Sequence, residues 1–426
     1  MRIKEGQIFN LMDTNGRRND VINALQGYLS ILDDIQNEQK MNWASMPESL
    51  AQYEFYRKAI ELSPEVFGKH RPYDKLLETL ECNKDFATAV QAQDIEWIQK
   101  NSFMFQSLVK QFDLGIEDRA RHYTSNLVKL GFTDEGRKIS PAGELLLDLK
   151  KLRKDDLETM LPIDGVNIVY LRQLMKLRLF DNEGENYYSP FNLAIFALLK
   201  RNRLSENEFS ELVQGLSPYS DFTDIEQYVL NYREGDVVSD IAIDIPVEIH
   251  TKERISETVF RNNYKNGKSN SGVDVYWTYY NLLFDYIENP SVITIDNLLT
   301  FFENNKSMLN KAFGCGQNIF TQKTGDRPTT IEFSKQYKKM FEENLNVYMF
   351  KQFSLSKILD QIREYSDTTK RIFKATGIIS FDNGFVELAY RELCACIFDE
   401  EVIRSRIAGR ISEELHSYYE CYEEYE

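Results

Sequence analysis

Residues 116 to 147 read IEDRARHYTSNLVKLGFTDEGRKISPAGELLL, and a run patterned this way leaves the chain little choice. Asp118 is placed to cap a helix, and Ala120, Tyr123, Leu127 and Leu130 recur at the three- and four-residue spacing of one buried stripe. Gly131 stops it, because glycine enters the left-handed region without steric cost. Phe132-Thr133 and Arg137-Lys138-Ile139 flank the turn Asp134-Glu135-Gly136, which predicts two short strands, a wing. Ser140 then offers an N-cap, Pro141 the first helical position and Glu144 a capping-box partner, so a second helix opens with Ala142, Leu145, Leu146 and Leu149 inward.

The stripe leaves Arg119, Arg121, His122, Ser125, Asn126 and Lys129 on the outer face of the first helix, with Arg137 and Lys138 on the wing. Arginine can grip guanine through two hydrogen bonds, asparagine adenine, and lysine can neutralise phosphate, so the set suits a DNA groove. The bland reading of the same residues is a solvated helix face of mixed charge.

At 426 residues the chain exceeds one ordinary core, and 42% hydrophobic with 13% aromatic content is globular. Its formal net charge of -16 would repel phosphate if spread evenly, so nucleic-acid binding requires a local basic patch; an acidic balance equally suits docking on a basic partner. Five cysteines at irregular positions do not form a disulfide framework, and Cys394-x-Cys396 lacks the second pair or the histidines of a zinc site. The first twenty residues carry no apolar signal core, and no window is apolar enough to span a bilayer, which predicts a cytoplasmic protein without membrane contact.

Along the chain, Val21 to Ile35 carries a helical stripe, and a helical region follows from Pro47 with Trp97, Phe103 and Leu108 as core. Tyr53, Tyr56 and Arg57 beside Lys69, His70 and Arg71 are more often structural than phosphate contacts. Leu149 to Leu161 reads as a charged, exposed helix. The pattern then restarts: a helix near Asn167 to Leu179, a turn at Asn182-Glu183-Gly184, a helix opened by Ser189-Pro190, and SENEFSELVQGL as the next. Lys200, Arg201 and Arg203 close a helix, where they can complement its dipole. Alternating Ile241, Ile243 and Ile245 precede a polar loop whose Arg261, Asn262, Asn263, Lys265 and Lys268 are candidates for flexible phosphate contact. VDVYWTYYNLLFDYI is an aromatic buried helix, and Gly314 and Gly316 are too short a pair for a nucleotide fingerprint.

A third unit closes the chain. Ser354 to Arg363 predicts one helix and Ser366-Asp367 caps another, which ends at Gly377; Asp382-Asn383-Gly384 then turns a hairpin between Ile378-Ile379-Ser380 and Phe385 to Leu388. Thr368, Thr369, Lys370, Arg371 and Lys374 make a second candidate reading face, and the tail from Ala408 is rich in Tyr and Glu.

Taken in order, RARHYTSNLVKLGFTDEGRKISPAGELLL, SPFNLAIFALLKRNRLSENEFSELV and TTKRIFKATGIISFDNGFVEL resemble the DNA-recognition half of AlwI-type restriction endonucleases, including nicking subunits of type IIS enzymes, over roughly residues 80 to 390. The resemblance implies winged-helix subdomains that read a short asymmetric site and a separate carboxy-terminal nuclease domain; only about 36 residues follow Arg391, so the expected nuclease half has no place. The fold class is accordingly mainly α with tandem winged-helix-like subdomains: an arm at 1–46, a first winged region at 47–160, a second at 161–235, a linker loop and aromatic insert at 236–350, and a third winged unit with acidic tail at 351–426.

Metal-dependent cleavage needs paired carboxylates on adjacent strands and usually a lysine. The weak candidates are Asp240, Asp244, Glu248 and Lys252, with His250 where the usual lysine belongs. His70, His122, His250 and His416 build no HExxH or triad, and there is no P-loop, so no enzyme is evident and no cofactor is required, Mg²⁺ entering only for a nuclease. The leading expectation is a sequence-specific reader of double-stranded DNA in a restriction or phage-defence system, with a nuclease or ATPase on another polypeptide. The alternatives are an acidic helical scaffold in a defence complex and a complete Mg²⁺-dependent restriction endonuclease.

Overall fold

The structure is a computed structural model that describes residues 20–38, 42–43, 51, 54–55, 58, 84–85, 88, 97, 100, 116–181, 184–236, 245–264, 270–313 and 342–410. These are mainly helical, with two small antiparallel sheets. The chain divides into two compact units, one holding Ser210–Asp224 and Asn231–Ser366, the other Asn10–Phe209, Ile225–Leu230 and Asp367–Glu426. Tyr53, Tyr56, Arg57, Lys69, His70 and Arg71, read as structural rather than as phosphate contacts, lie outside the described residues, together with Phe103 and Leu108.

The second unit opens with α1 (Val21–Asp33), capped by Asp20, and α2 (Ile116–Lys129); Tyr28 and Tyr123 stack between them at 5.1 Å. Asp118 lies within α2 rather than at its cap. Gly131 takes φ 70 and ends the helix, and the Leu130 carbonyl left behind accepts the Gln173 amide at 2.8 Å. The expected wing reduces to one bridge, Thr133 with Ile139, closed by a turn in which Arg137 has φ 64. α3 (Pro141–Leu147) starts where Ser140 Oγ accepts from the Gly143 amide; Glu144 pairs with Lys151 instead of completing a capping box.

Residues 149 to 160, expected as a helix, form two short 3₁₀ turns, Leu149–Lys151 and Glu158–Met160, joined by a loop. The cause is local: Asp148 Oδ1 accepts from the Lys150 amide, and Asp155 and Glu158 accept from each other's amides, bonds that compete with a helical ladder. α4 (Gly165–Lys176), β1 (Leu179–Phe180), β2 (Asn186–Tyr188) and α5 (Pro190–Lys200) follow. β1 and β2 pair antiparallel, so Leu179, expected at the end of a helix, lies in a strand instead, and β2 also pairs with β6 (Ala408–Arg410), Tyr187 facing Gly409, where a side chain would strike the Tyr187 ring.

The other sheet is assembled from distant pieces. β3 (Leu204–Ser205) runs directly into α6 (Glu206–Gly215), whose Ser205 and Glu208 form a capping box. β4 (Ile379–Asp382) and β5 (Phe385–Leu388) make the hairpin, turned by Asn383 at φ 50 and Gly384 at φ 80, and β5 pairs with β3, Leu204 facing Val386. Buried Phe373 packs edge-on against Phe191 at 5.1 Å and Phe209 at 6.0 Å, and Phe209 meets Phe381, so the helix before the hairpin is sealed onto α5 and α6. That helix is α11, Leu345–Lys374, unbroken through Ser366-Asp367; the expected cap is absent because Asp367 lies within the helix and pairs with Arg371, one turn on. α7 (Ile225–Asn231), α12 (Arg391–Ile397) and α13 (Glu400–Ser405) complete the frame around α5, whose terminal carbonyls accept from Arg391.

The first unit is an aromatic bundle of α8 (Glu257–Asn263), α9 (Asn270–Glu288) and α10 (Ile295–Phe313) with the start of α11. Phe260 stacks on Tyr264 at 4.3 Å, and Tyr276, Tyr279 and Tyr280 are fully buried around it. Asn344, at φ 105, caps α11 and ties the 250–253 strap to it, while Tyr280 donates to Asn346 and accepts from the Ile255 amide. Such buried amide networks fix one packing because each group left unpaired would cost about 1–3 kcal/mol.

Candidate nucleic-acid interface

Each expected reading face can now be placed. Arg119, Arg121 and His122 stand on α2, their side chains outside the described residues. Ser125 and Lys129 are half-buried, and Asn126 is 2% exposed, so its amide is withdrawn from any groove. Periodicity put Asn126 outside because it weighed only the apolar stripe; α1 packs on the helix as well, and Gln173 of α4 closes over its end. Arg137 folds back, donating through Nε to Thr124 Oγ1 at 3.2 Å and through Nη1 to the Glu135 carbonyl at 2.5 Å. Lys138 is exposed.

On α11, Thr368 and Thr369 are buried at 4% and 2%, withdrawn from solvent. Lys370 is held by Glu206 at the start of α6, and Arg371 by Asp367 at 2.9 Å. Lys374 is exposed beside the hairpin and forms no ion pair among the described residues. Arg203 lies over the Phe385 ring at 4.3 Å, adding an exposed guanidinium to the edge of the same sheet. Lys200 is drawn into Glu226 at 2.7 Å and Glu400, and those carboxylates hold its ammonium above the ordinary lysine range.

The polar loop after 260 behaves differently from its expectation. Arg261 closes α8 and lies between Asp274 and Glu257, both at 2.6 Å, which raise its pKa and occupy its donors; Lys265 and Lys268 lie outside the described residues. Of the cleavage candidates, Asp240 and Asp244 also lie outside. Glu248 stands on the 3₁₀ turn Val247–Ile249, bonded to Asn263, and Lys252 is exposed on a bend, so these two do not form a carboxylate and lysine on adjacent strands. Among the described residues no group of three or more His, Cys, Asp or Glu side chains converges as a metal-ligand set. Cys394 is buried, its thiol pushed up to about 11 by burial, while Cys396 is exposed.

A basic feature was missed. Lys150, Lys151, Arg153 and Lys154 are all exposed on the loop between α3 and α4. A cleft of about 470 Å³ adjoins it, lined by Asp155, Glu158, Arg172, Gln173, Lys176 and Arg406 among others. Arg172 bridges the cleft wall, bonding both oxygens of Glu158 at 2.5 and 2.6 Å, and that carboxylate raises its pKa. The run KKLRK was the available signal, read as an ordinary solvated helix.

A model of the AlwI restriction endonuclease family matches residues 127–414. The chain belongs to the AlwI restriction endonuclease family. Membership ties it to restriction systems and hence to DNA, as the resemblance implied. The AlwI match takes in both sheets, the basic loop and the aromatic bundle, but it begins at Leu127, past Arg119, Arg121 and His122. No curated protein and no solved structure matches the chain. Among the described residues no helix is long and apolar enough to cross a membrane.

Proposed function

We propose that this chain reads double-stranded DNA as the sequence-specific recognition component of a restriction or phage-defence system, through winged-helix units. The observation that carries the reading is the family match together with one connectivity: α5, β3, α6, then the last turns of α11 and the β4–β5 hairpin, with β3 paired to the hairpin. That order of helix, strand, helix, helix and two-stranded hairpin supports a winged helix-turn-helix reading, in which the helix preceding the hairpin would enter the major groove. Here that helix ends at Lys374, and its neighbours Lys370 and Arg371 would exchange Glu206 and Asp367 for phosphate. In α2 the proposed reading residues are Arg119, Arg121, His122, Ser125 and Lys129.

The test is selection of bound duplexes from a random pool, followed by binding to the enriched sequence at several salt concentrations. Enrichment of one short motif, with discrimination relaxed by Arg121→Ala or Lys374→Ala, is expected. Binding with no enriched motif would remove sequence reading, and no duplex bound at physiological salt would leave the scaffold reading in its place.

The family description favours a second reading, cleavage by this same polypeptide. Incubation with supercoiled plasmid and Mg²⁺ decides it: nicking by the wild type that Asp244→Ala abolishes supports cleavage here, and an intact plasmid, or equal nicking by the variant, removes the proposed residues.

A further inference from the structure

Five consecutive residues, Lys150 to Lys154, carry four cations in a chain whose formal net charge is -16. Clustering like charges is unfavourable unless an anion offsets it; of the flanking carboxylates, Asp148 and Asp155 accept backbone amides of the loop, and neither they nor exposed Asp156 form an ion pair with these cations among the described residues. Glu144 reaches Lys151 at 3.4 Å across an exposed surface, while Glu158 is taken by Arg172. Lys150, Arg153 and Lys154 form no side-chain ion pair among the described residues.

The side chains are free, but the backbone beneath them is fixed. Asp148 Oδ1 holds the Lys150 amide at 3.1 Å, Arg172 Nη2 donates to the Arg153 carbonyl at 2.8 Å, and the Asp155–Glu158 reciprocal bonds close the far end at 3.0 and 2.7 Å. Leu152 anchors the middle against Gly165. The segment then runs straight to the base of the wing, where Ile163 packs on Gly377 and Asn167 donates to the Ala375 carbonyl at 2.8 Å. A rigid mount for mobile cations next to the proposed reading helix has the form of a backbone clamp: regularly spaced anions are met without ordering the main chain, and no base edge is needed.

We propose that Lys150, Arg153 and Lys154 grip the sugar–phosphate backbone of a DNA duplex in sequence-independent contacts, setting the register in which the winged unit reads it. This rests on the DNA-binding reading above. The experiment is a salt titration of the full chain on a short random-sequence duplex, followed by fluorescence anisotropy. It compares the wild type with Lys150→Gln/Arg153→Gln/Lys154→Gln and with a charge-matched control at other exposed sites, Lys84→Gln/Lys100→Gln/Lys351→Gln. Each neutralised phosphate contributes about 0.9 to the slope of log affinity against log salt, so the loop variant should lose roughly 2 to 3 units of slope and roughly tenfold to a hundredfold in affinity, on every duplex alike. The control should keep the wild-type slope. A loop variant with the wild-type slope overturns the clamp and leaves DNA binding standing; an equal loss in the control overturns it as well, by showing an effect of net charge. A wild type that binds no duplex overturns both readings. Lys154→Gln alone, with a slope lower by about 1, serves should the triple variant not fold, and an unchanged slope there overturns the clamp.

Discussion

Two stretches of this chain are written alike and fold differently. Residues 116 to 139 and 364 to 388 both read as helix, glycine stop and hairpin, yet the first yields one bridge and the second a paired hairpin within a three-stranded sheet. The difference lies in what each hairpin finds beside it. β5 has β3 on its free edge, delivered from far upstream, and an Asn383-Gly384 turn whose two positive φ values match strand twist. The 132–139 segment has no third strand among the described residues, and its turn places Arg137 rather than glycine at positive φ. A hairpin alone is marginal in water, so a third strand decides whether a wing becomes a sheet.

The largest expected effect tests the sheet side. Phe373→Ala removes the ring between Phe191 and Phe209 and should cost about 3–5 kcal/mol in denaturant unfolding, with the β4–β5 amides losing exchange protection first. Protection lost first at 132–139 instead would mean the hairpin does not depend on this seal. On the bridge side, Gly143→Ala would place a Cβ 2.2 Å from the Phe132 carbonyl oxygen, so overpacking of roughly 1–3 kcal/mol should outweigh the helix preference for alanine. A rise in melting temperature would show that the bridge can slide away from α3.

Gly377→Ala and Gly131→Ala sharpen the comparison further. Both glycines have positive φ, 79 and 70, so each variant should lose about 1–3 kcal/mol to backbone strain, and at Gly377 the added Cβ also meets Ile163 at 2.9 Å. Equal losses at the two sites would leave backbone conformation as the whole cause. The smallest effect concerns the frame. Carboxylates raise the Lys200 pKa, and the Lys200 ammonium holds Glu226 below the ordinary range. Lysine's share of stability is therefore present below its ordinary value of 10.5 and lost as pH rises through the raised one; the Glu226 share is present above 4.5 and lost as pH falls through the lowered one. Lys200→Met should accordingly lower the urea midpoint slightly between those limits and converge with wild type outside them. A difference unchanged across the whole range would assign the effect to packing.

Much of the local architecture was legible in the residues themselves. Ser140-Pro141 and Ser189-Pro190 announce the starts of α3 and α5, Gly131 and Gly377 the ends of their helices, and Asn383-Gly384 the tighter hairpin, because caps and turns are decided within a few bonds of the residue that makes them. Of the reading faces, only which residues share a helix could be read. That Asn126 and Thr369 turn inward, that Glu206 takes Lys370, and that carboxylates 13 and 4 residues away close around Arg261 depend on neighbours that periodicity does not contain.

By itself, then, the sequence determined the glycine stops, the Ser-Pro helix starts and the Asn-Gly turn, the aromatic helix at 273–287 and the likeness to AlwI enzymes, since each is encoded in contiguous patterns. The tertiary structure alone decided that β3 joins a hairpin some 175 residues downstream, that Ser366-Asp367 continues a helix instead of starting one, and which cations keep their donors free. Those outcomes turn on pairing across long loops, where the closure entropy is set by the whole chain and only the assembled partners can offset it.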